Sequence, residues 1–130
     1  MVVADTDVLI DALEGSVEPL RSRVASMLRS GQLATTSINW FELTAGRRTT
    51  VHRLELLHAA LGAATILPVT QGAAEIAAAT RRHLERRGQG IGVADYLIAG
   101  VCIAHGLPLL TRNVAHFRRV PGLALAPSRG

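Results

Sequence analysis

The sequence predicts an α/β domain in which a short parallel β-sheet is flanked by helices in three layers. Three observations predict it. Short apolar runs ending at turn or capping residues alternate with stretches of helical period from one end of the chain to the other. The 130 residues match one ordinary domain, so residues 1–130 are read as a single unit. Apolar residues make up 48% of the chain and charged residues 18%, enough to build a core and too little charge for a disordered chain.

Val2 to Ala4 is the first apolar run, closed by Asp5. Thr6-Asp7 then leads into a short helix through Val8, Leu9, Ile10, Ala12 and Leu13 that stops at Gly15. A second helix covers Glu18 to Ser30, with Leu20, Val24, Met27 and Leu28 on one stripe and Gly31 as its stop. Leu33 to Thr36 is a strand, and Ser37 stands where an N-cap belongs, ahead of a helix from Ile38 to Ala45 that contains Glu42. Val51 to Leu61 is helical, Thr65 to Val69 a strand, and Thr70 caps an Ala-rich helix running to about Arg87. After the break Gly88-Gln89-Gly90-Ile91-Gly92, an apolar helix runs from Val93 to His105 and ends at Gly106. Leu107 to Leu110 is a strand, and Leu123 to Ala126 is a candidate edge strand.

The charge balance excludes several functions. The net charge is +4, and every one of the 14 basic residues is Arg. A P-loop needs a Lys at the phosphates, and phosphoaspartyl enzymes of the haloacid-dehalogenase and receiver types normally keep one beside their acids, so neither suits this chain. The single Cys102, inside an apolar run, forms no intrachain disulfide or cysteine zinc cluster and reads as core. With no basic leader and no apolar stretch approaching the roughly 18 residues that span a bilayer, the chain reads as soluble and cytoplasmic, with no membrane partner.

In a parallel sheet covered on both faces, ligands bind beyond the carboxyl ends of the strands. Asp5 closes the first strand, Glu42 lies a turn into the helix after the second, and Asp95 opens the apolar helix. All three have apolar neighbours in sequence, where an unpaired carboxylate is costly to desolvate. Arg or a divalent cation must balance them, and hard oxygen ligands suit Mg²⁺ or Mn²⁺. Such an ion activates water and stabilises a phosphoryl group in transfer, which predicts phosphodiester hydrolysis without a protein nucleophile. Any one of these acids alone reads equally as a helix cap or a partner of the helix dipole.

The segments Val3-Ala4-Asp5-Thr6-Asp7-Val8-Leu9-Ile10, Thr36-Ser37-Ile38-Asn39-Trp40-Phe41-Glu42-Leu43, Ala94-Asp95-Tyr96-Leu97-Ile98-Ala99 and Leu110-Thr111-Arg112-Asn113-Val114-Ala115-His116-Phe117 closely resemble the PIN-domain family, nearest its VapC-like toxin branch. The resemblance covers nearly the whole chain, in order, and extends to Val120-Pro121-Gly122-Leu123. It implies a metal-dependent endoribonuclease, the toxin of a toxin–antitoxin pair. Such a toxin is usually a homodimer held inactive by a small cognate antitoxin, with structured RNA such as tRNA as substrate. Carried over, Asp5, Glu42 and Asp95 are the metal-binding and catalytic acids. Thr111 matches a hydroxyl residue often found beside that pocket. Many relatives place a fourth acid where His116 stands, and Asn113 is not acidic either. That departure weakens a second metal site more than the first. His116 either ligates a softer ion or shuttles a proton, or it only sits at the rim.

Asp7 is read as favouring the positive helix N-terminus and orienting water near Asp5, and Asp11 as a solvated surface acid. Arg112 is the first choice for an RNA phosphate, with Arg47 and Arg48 beyond the Glu42 helix and Arg118 and Arg119 in the same last motif as further candidates. Arg81, Arg82, Arg86 and Arg87 end a helix, where cations offset the dipole or contact RNA. Four aromatics make no base-stacking platform. Two other classes stay open: a catalytically weak or inactive module of the same fold that only binds RNA or antitoxin, and a phosphatase using Asp5 and Asp7 as a DxD pair. The absent Lys opposes the second.

Overall fold

The computed structural model describes residues 1–15, 18–46 and 49–127. Four strands are found among them: β1 (Val2–Ala4), β2 (Leu33–Thr36), β3 (Thr65–Leu67) and β4 (Leu109–Leu110). Seven helices accompany them: α1 (Thr6–Glu14), α2 (Leu20–Arg29), α3 (Ser37–Thr44), α4 (Val51–Leu61), α5 (Gln71–Arg86), α6 (Val93–His105) and α7 (Val114–Phe117). The sheet is parallel throughout, in the order β3-β2-β1-β4.

The central strands are apolar at consecutive positions because helices cover both faces of the sheet. Val3, Ala34 and Leu109 point into one core, where they meet Ala73, Ala77 and Leu84 of α5 and Ile98, Val101 and Cys102 of α6. Their neighbours Ala4, Leu33 and Leu110 point into the other, against Val8 and Leu9 of α1, Val24 of α2 and Leu57 and Leu61 of α4. One residue of register therefore separates the two cores, which is the three-layer arrangement expected from the sequence. Burial lifts the Cys102 thiol to about 12, as suits a core side chain.

α5 and α6 pack closely because Gly100 has no side chain. A Cβ there would stand 2.4 Å from the Ala73 carbonyl oxygen and 3.1 Å from the Ala77 Cβ. α6 ends at Gly106, whose φ of +63° is a left-handed conformation that disfavours other residues.

Several boundaries differ from the sequence expectation. The N-cap of α3 is Thr36, not Ser37: its hydroxyl accepts from the Asn39 N–H at 3.1 Å, and the Asn39 side-chain oxygen accepts from the Thr36 N–H at 3.2 Å. Strand β2 thus runs directly into the helix, leaving Ser37 as its first residue. Strands β3 and β4 are shorter than predicted, and Leu123 to Ala126 forms only a single parallel bridge, Leu109 to Leu125. The short helix α7 had no counterpart in the sequence reading. Thr70 does cap α5, accepting from the Ala73 N–H at 3.1 Å. No helix among the described residues is long and apolar enough to cross a membrane.

The chain leaves β1 toward β2 and β3 and returns to β4 on the other side of β1. The connections after β1 and β4 therefore diverge, and Asp5 and Thr111 follow the ends of those two strands, the position beyond which ligands bind in such sheets.

Candidate active site

Asp5 is the centre of the hydrogen-bond network at this strand end. It caps α1, its carboxylate accepting from the Thr6 N–H at 2.9 Å. The same oxygen accepts from the Asn39 side-chain amide at 2.9 Å, and the other accepts from the Thr111 hydroxyl at 2.7 Å. The Asp5 N–H donates to the Leu110 carbonyl at 2.9 Å, so the residue is tied to β4 through backbone and side chain together. Asp5 is only 7% exposed, and both of its oxygens are already oriented by neighbouring donors.

Asn39 was missed in the sequence and proves to be a hub. It is fully buried, and its amide nitrogen donates both to Asp5 and to the Thr6 hydroxyl oxygen, the latter at 3.0 Å. The Thr6 hydroxyl in turn donates to Glu42 at 2.7 Å. Glu42 is exposed, one turn beyond Asn39 on α3, and its link to Asp5 runs through Thr6 and Asn39. The capping of α3 thus fixes the side chain that joins two of the predicted acids.

A second branch leaves Asp5 through Thr111. The Thr111 hydroxyl also accepts from the Asn113 N–H at 3.0 Å, and the Asn113 amide meets the His116 Nδ1 at 3.0 Å. His116 Nδ1 lies 3.6 Å from an Asp95 carboxylate oxygen. One nitrogen cannot accept from Asn113 and donate to Asp95 at once. An Nδ1 lone pair suits the Asn113 amide, and an Nδ1–H suits Asp95.

Burial, followed by the nearby Asp5 charge, holds Asp95 above the ordinary carboxylate value, with His116 acting in the opposite direction. Asp7 is raised for the same two reasons, partly offset by the Arg112 and Val8 backbone N–H groups and by the Arg112 charge. Asp5, Asp7 and Asp95 therefore share one electrostatic neighbourhood at the carboxyl end of the sheet. Among the described residues, no three His, Cys, Asp or Glu side chains stand grouped as a ready metal cage. The acids are joined instead through Thr6, Asn39, Thr111, Asn113 and His116.

One reading of the acidic rim is corrected. Asp11 is not a solvated surface acid, for its carboxylate pairs with the Arg112 guanidinium. The Arg112 backbone N–H also approaches the Asp7 carboxylate at 3.2 Å, so Arg112 is tied to α1 through backbone and side chain while its side chain stays exposed. Arg47 and Arg48 lie outside the described residues.

The PIN domain family matches residues 2–123 of this chain. The chain is 36% identical to Ribonuclease VapC10 of Mycobacterium tuberculosis over 117 residues, covering 90% of this chain and 86% of that protein. It is 27% identical to the tRNA(fMet)-specific endonuclease VapC of Salmonella typhimurium over 124 residues, 93% of this chain and 92% of the relative. Its fold superposes on VapBC2 from Rickettsia felis bound to a promoter DNA fragment with a TM-score of 0.86 at 25% identity, covering 97% of this chain and 98% of that one. By sequence, by fold and by the ordered acids at the sheet's carboxyl end, the chain belongs to the PIN-domain family, in its VapC-like branch.

Proposed function

We propose that this chain is a divalent-metal-dependent endoribonuclease and the toxin of a toxin–antitoxin pair. Its catalytic groups on this reading are Asp5, Glu42 and Asp95, with Asp7, Thr111, Asn113 and His116 in support. The observation that carries the reading is the hydrogen-bonded line from Glu42 through Thr6, Asn39 and Asp5 to Thr111, which ends beside Asp95 across Asn113 and His116. Relatives named as ribonucleases and a tRNA endonuclease support RNA, including tRNA, as substrate. A VapBC complex among the structural neighbours supports a cognate antitoxin as partner. A homodimer is the assembly we assign, from family resemblance.

The residues fit Mg²⁺ or Mn²⁺. The donors are hard carboxylate oxygens, and two of the acids are held above their ordinary range by burial and by Asp5, a penalty that a dication relieves. Asp5 and Asp95, with Glu42, would hold the ion. When bound it supplies an acidified water and a counter-charge for the phosphoryl group in transfer.

The chain's own residues set the geometry. Thr111 and Asn39 hold the two Asp5 oxygens in fixed directions. Thr6 holds one Glu42 oxygen and ties this exposed carboxylate to the Asn39–Asp5 network. Asn113 orients the His116 ring beside Asp95. No lysine exists to assist an aspartyl phosphate, and Asp7 is occupied by the Arg112 N–H, so the phosphatase reading gains no support.

Incubating the purified protein with total cellular RNA tests the proposal. Cleavage with Mn²⁺ or Mg²⁺ that stops with chelator and is absent in Asp5→Asn is the expected result. RNA binding without cleavage would favour the inactive module, and phosphate release from monoesters would favour the phosphatase.

A further inference from the structure

Charge is divided unevenly along the chain. Residues 81–130 hold eight Arg against two acids, whereas residues 1–80 hold six Arg against eight acids. Part of that excess lies in the segments that flank Asp95 and His116 in sequence. The α5 helix ends with Arg86, and Arg87 is its cap. Tyr96 anchors the loop that follows, its hydroxyl accepting from the Ile91 N–H at 2.9 Å. Arg119 reaches the same loop, its guanidinium meeting the Gly90 carbonyl at 3.4 Å. Arg118 caps α7, and Phe117 and Val120 on either side of the pair are buried in the α5–α6 core. Two residues before Arg118, His116 stands against Asp95.

Arg86 and Arg87 from one segment, and Arg118 and Arg119 from another, are joined by the Arg119 contact to the Gly90 carbonyl, three residues past Arg87, and the second segment follows His116, which faces Asp95. All four are exposed, and none pairs with a carboxylate among the described residues. The local acid Glu85 is taken by Arg81 at 3.0 Å. We infer that Arg86, Arg87, Arg118 and Arg119 form the track that carries the RNA backbone to the cleavage site. Guanidinium groups bind phosphates bidentately and without reference to base identity. Tyr96 and Phe117 are buried, so the track offers no stacking surface, and its grip on RNA is through phosphates and is salt-sensitive.

This inference rests on the ribonuclease reading, and the experiment separates the two. Binding of labelled bulk tRNA is measured in chelator, where no cleavage occurs, across a salt series. The variants are Arg86→Glu with Arg87→Glu, and Arg118→Glu with Arg119→Glu. The control is Arg21→Glu with Arg29→Glu on α2, which has the same charge change on the opposite face. Each track pair should weaken binding about tenfold or more and flatten the salt dependence by about two charges, with the control close to wild type. In cleavage assays the track pairs should raise KM with kcat little changed, and the Arg→Lys versions of the same pairs should restore most of the binding. Cleavage by wild type with unchanged tRNA affinity in both track pairs would overturn the track alone. Loss of antitoxin binding in place of RNA binding would reassign the four arginines to the antitoxin. A wild type that neither binds nor cleaves RNA would overturn the ribonuclease reading as well.

Discussion

The Thr111 hydroxyl donates a 2.7 Å hydrogen bond to the Asp5 carboxylate across 106 residues of sequence. It joins the ends of β1 and β4, the two neighbouring strands from which the chain departs in different directions. Thr111 is 2% exposed, so its hydroxyl has no water to turn to, and Asp5 receives a donor that does not wander. Thr111→Val keeps the shape and removes the donor. It should cost about 1–3 kcal/mol in denaturant unfolding and reduce kcat, with Thr111→Ser retaining most of both.

Asn39 serves the fold and the site together. Asn39→Ala removes the side-chain half of the α3 capping box, leaving the Thr36 N–H without its acceptor, and leaves Asp5 and Thr6 each short of a donor. A loss of about 2–4 kcal/mol is expected, with the cap and the buried hydrogen bonds each contributing. At temperatures where the variant is folded, RNA cleavage should fall more than it does in Thr111→Val, since Glu42 also loses its tether through Thr6. Equal stability and activity to wild type would show that Asn39 is a bystander.

Gly100→Ala tests the helix packing without touching the acids. The new methyl would collide with the Ala73 carbonyl, which is backbone and cannot swing aside. Overpacking of this kind costs about 1–3 kcal/mol, so the unfolding midpoint should drop. An unchanged midpoint would mean that α5 and α6 separate freely.

Asp7 and Asp95 make the metal-free chain sensitive to pH. Both carboxyls are raised in the fold, by burial first and the Asp5 charge second. Between the ordinary carboxylate value and the raised one, the folded chain binds more protons than the unfolded chain, so stability falls as pH rises through that window. Unfolding curves in chelator should show this decline, and Asp95→Asn should reduce it and raise the midpoint above it. Mn²⁺ should offset the decline in wild type and do little in Asp95→Asn.

How far the sequence leads can be judged residue by residue. Val2 to Ala4, the Val93 to His105 helix and the Thr70 cap are legible because apolar runs and capping residues act within a few positions. Thr36 and Ser37 are both good caps, and only the direct passage from β2 into α3 chooses between them. Asn39 resembles any polar helical residue until β1 is laid beside β2, a contact between strands about thirty residues apart. The Asp11–Arg112 pair is equally invisible, since 101 residues separate its members. The short helix α7 has too few residues to show a period. The four ordered motifs predicted the neighbourhood of Asp5, while the hydrogen bonds that organise it are properties of the tertiary fold.

A crystal soaked in MnCl₂ and measured at the manganese edge tests the metal assignment most directly. The site described here predicts one anomalous peak within coordination distance of the Asp5 and Asp95 carboxylates, lost in Asp5→Asn. A soaked, fully diffracting crystal with no peak there, or with manganese bound only elsewhere on the surface, would contradict it.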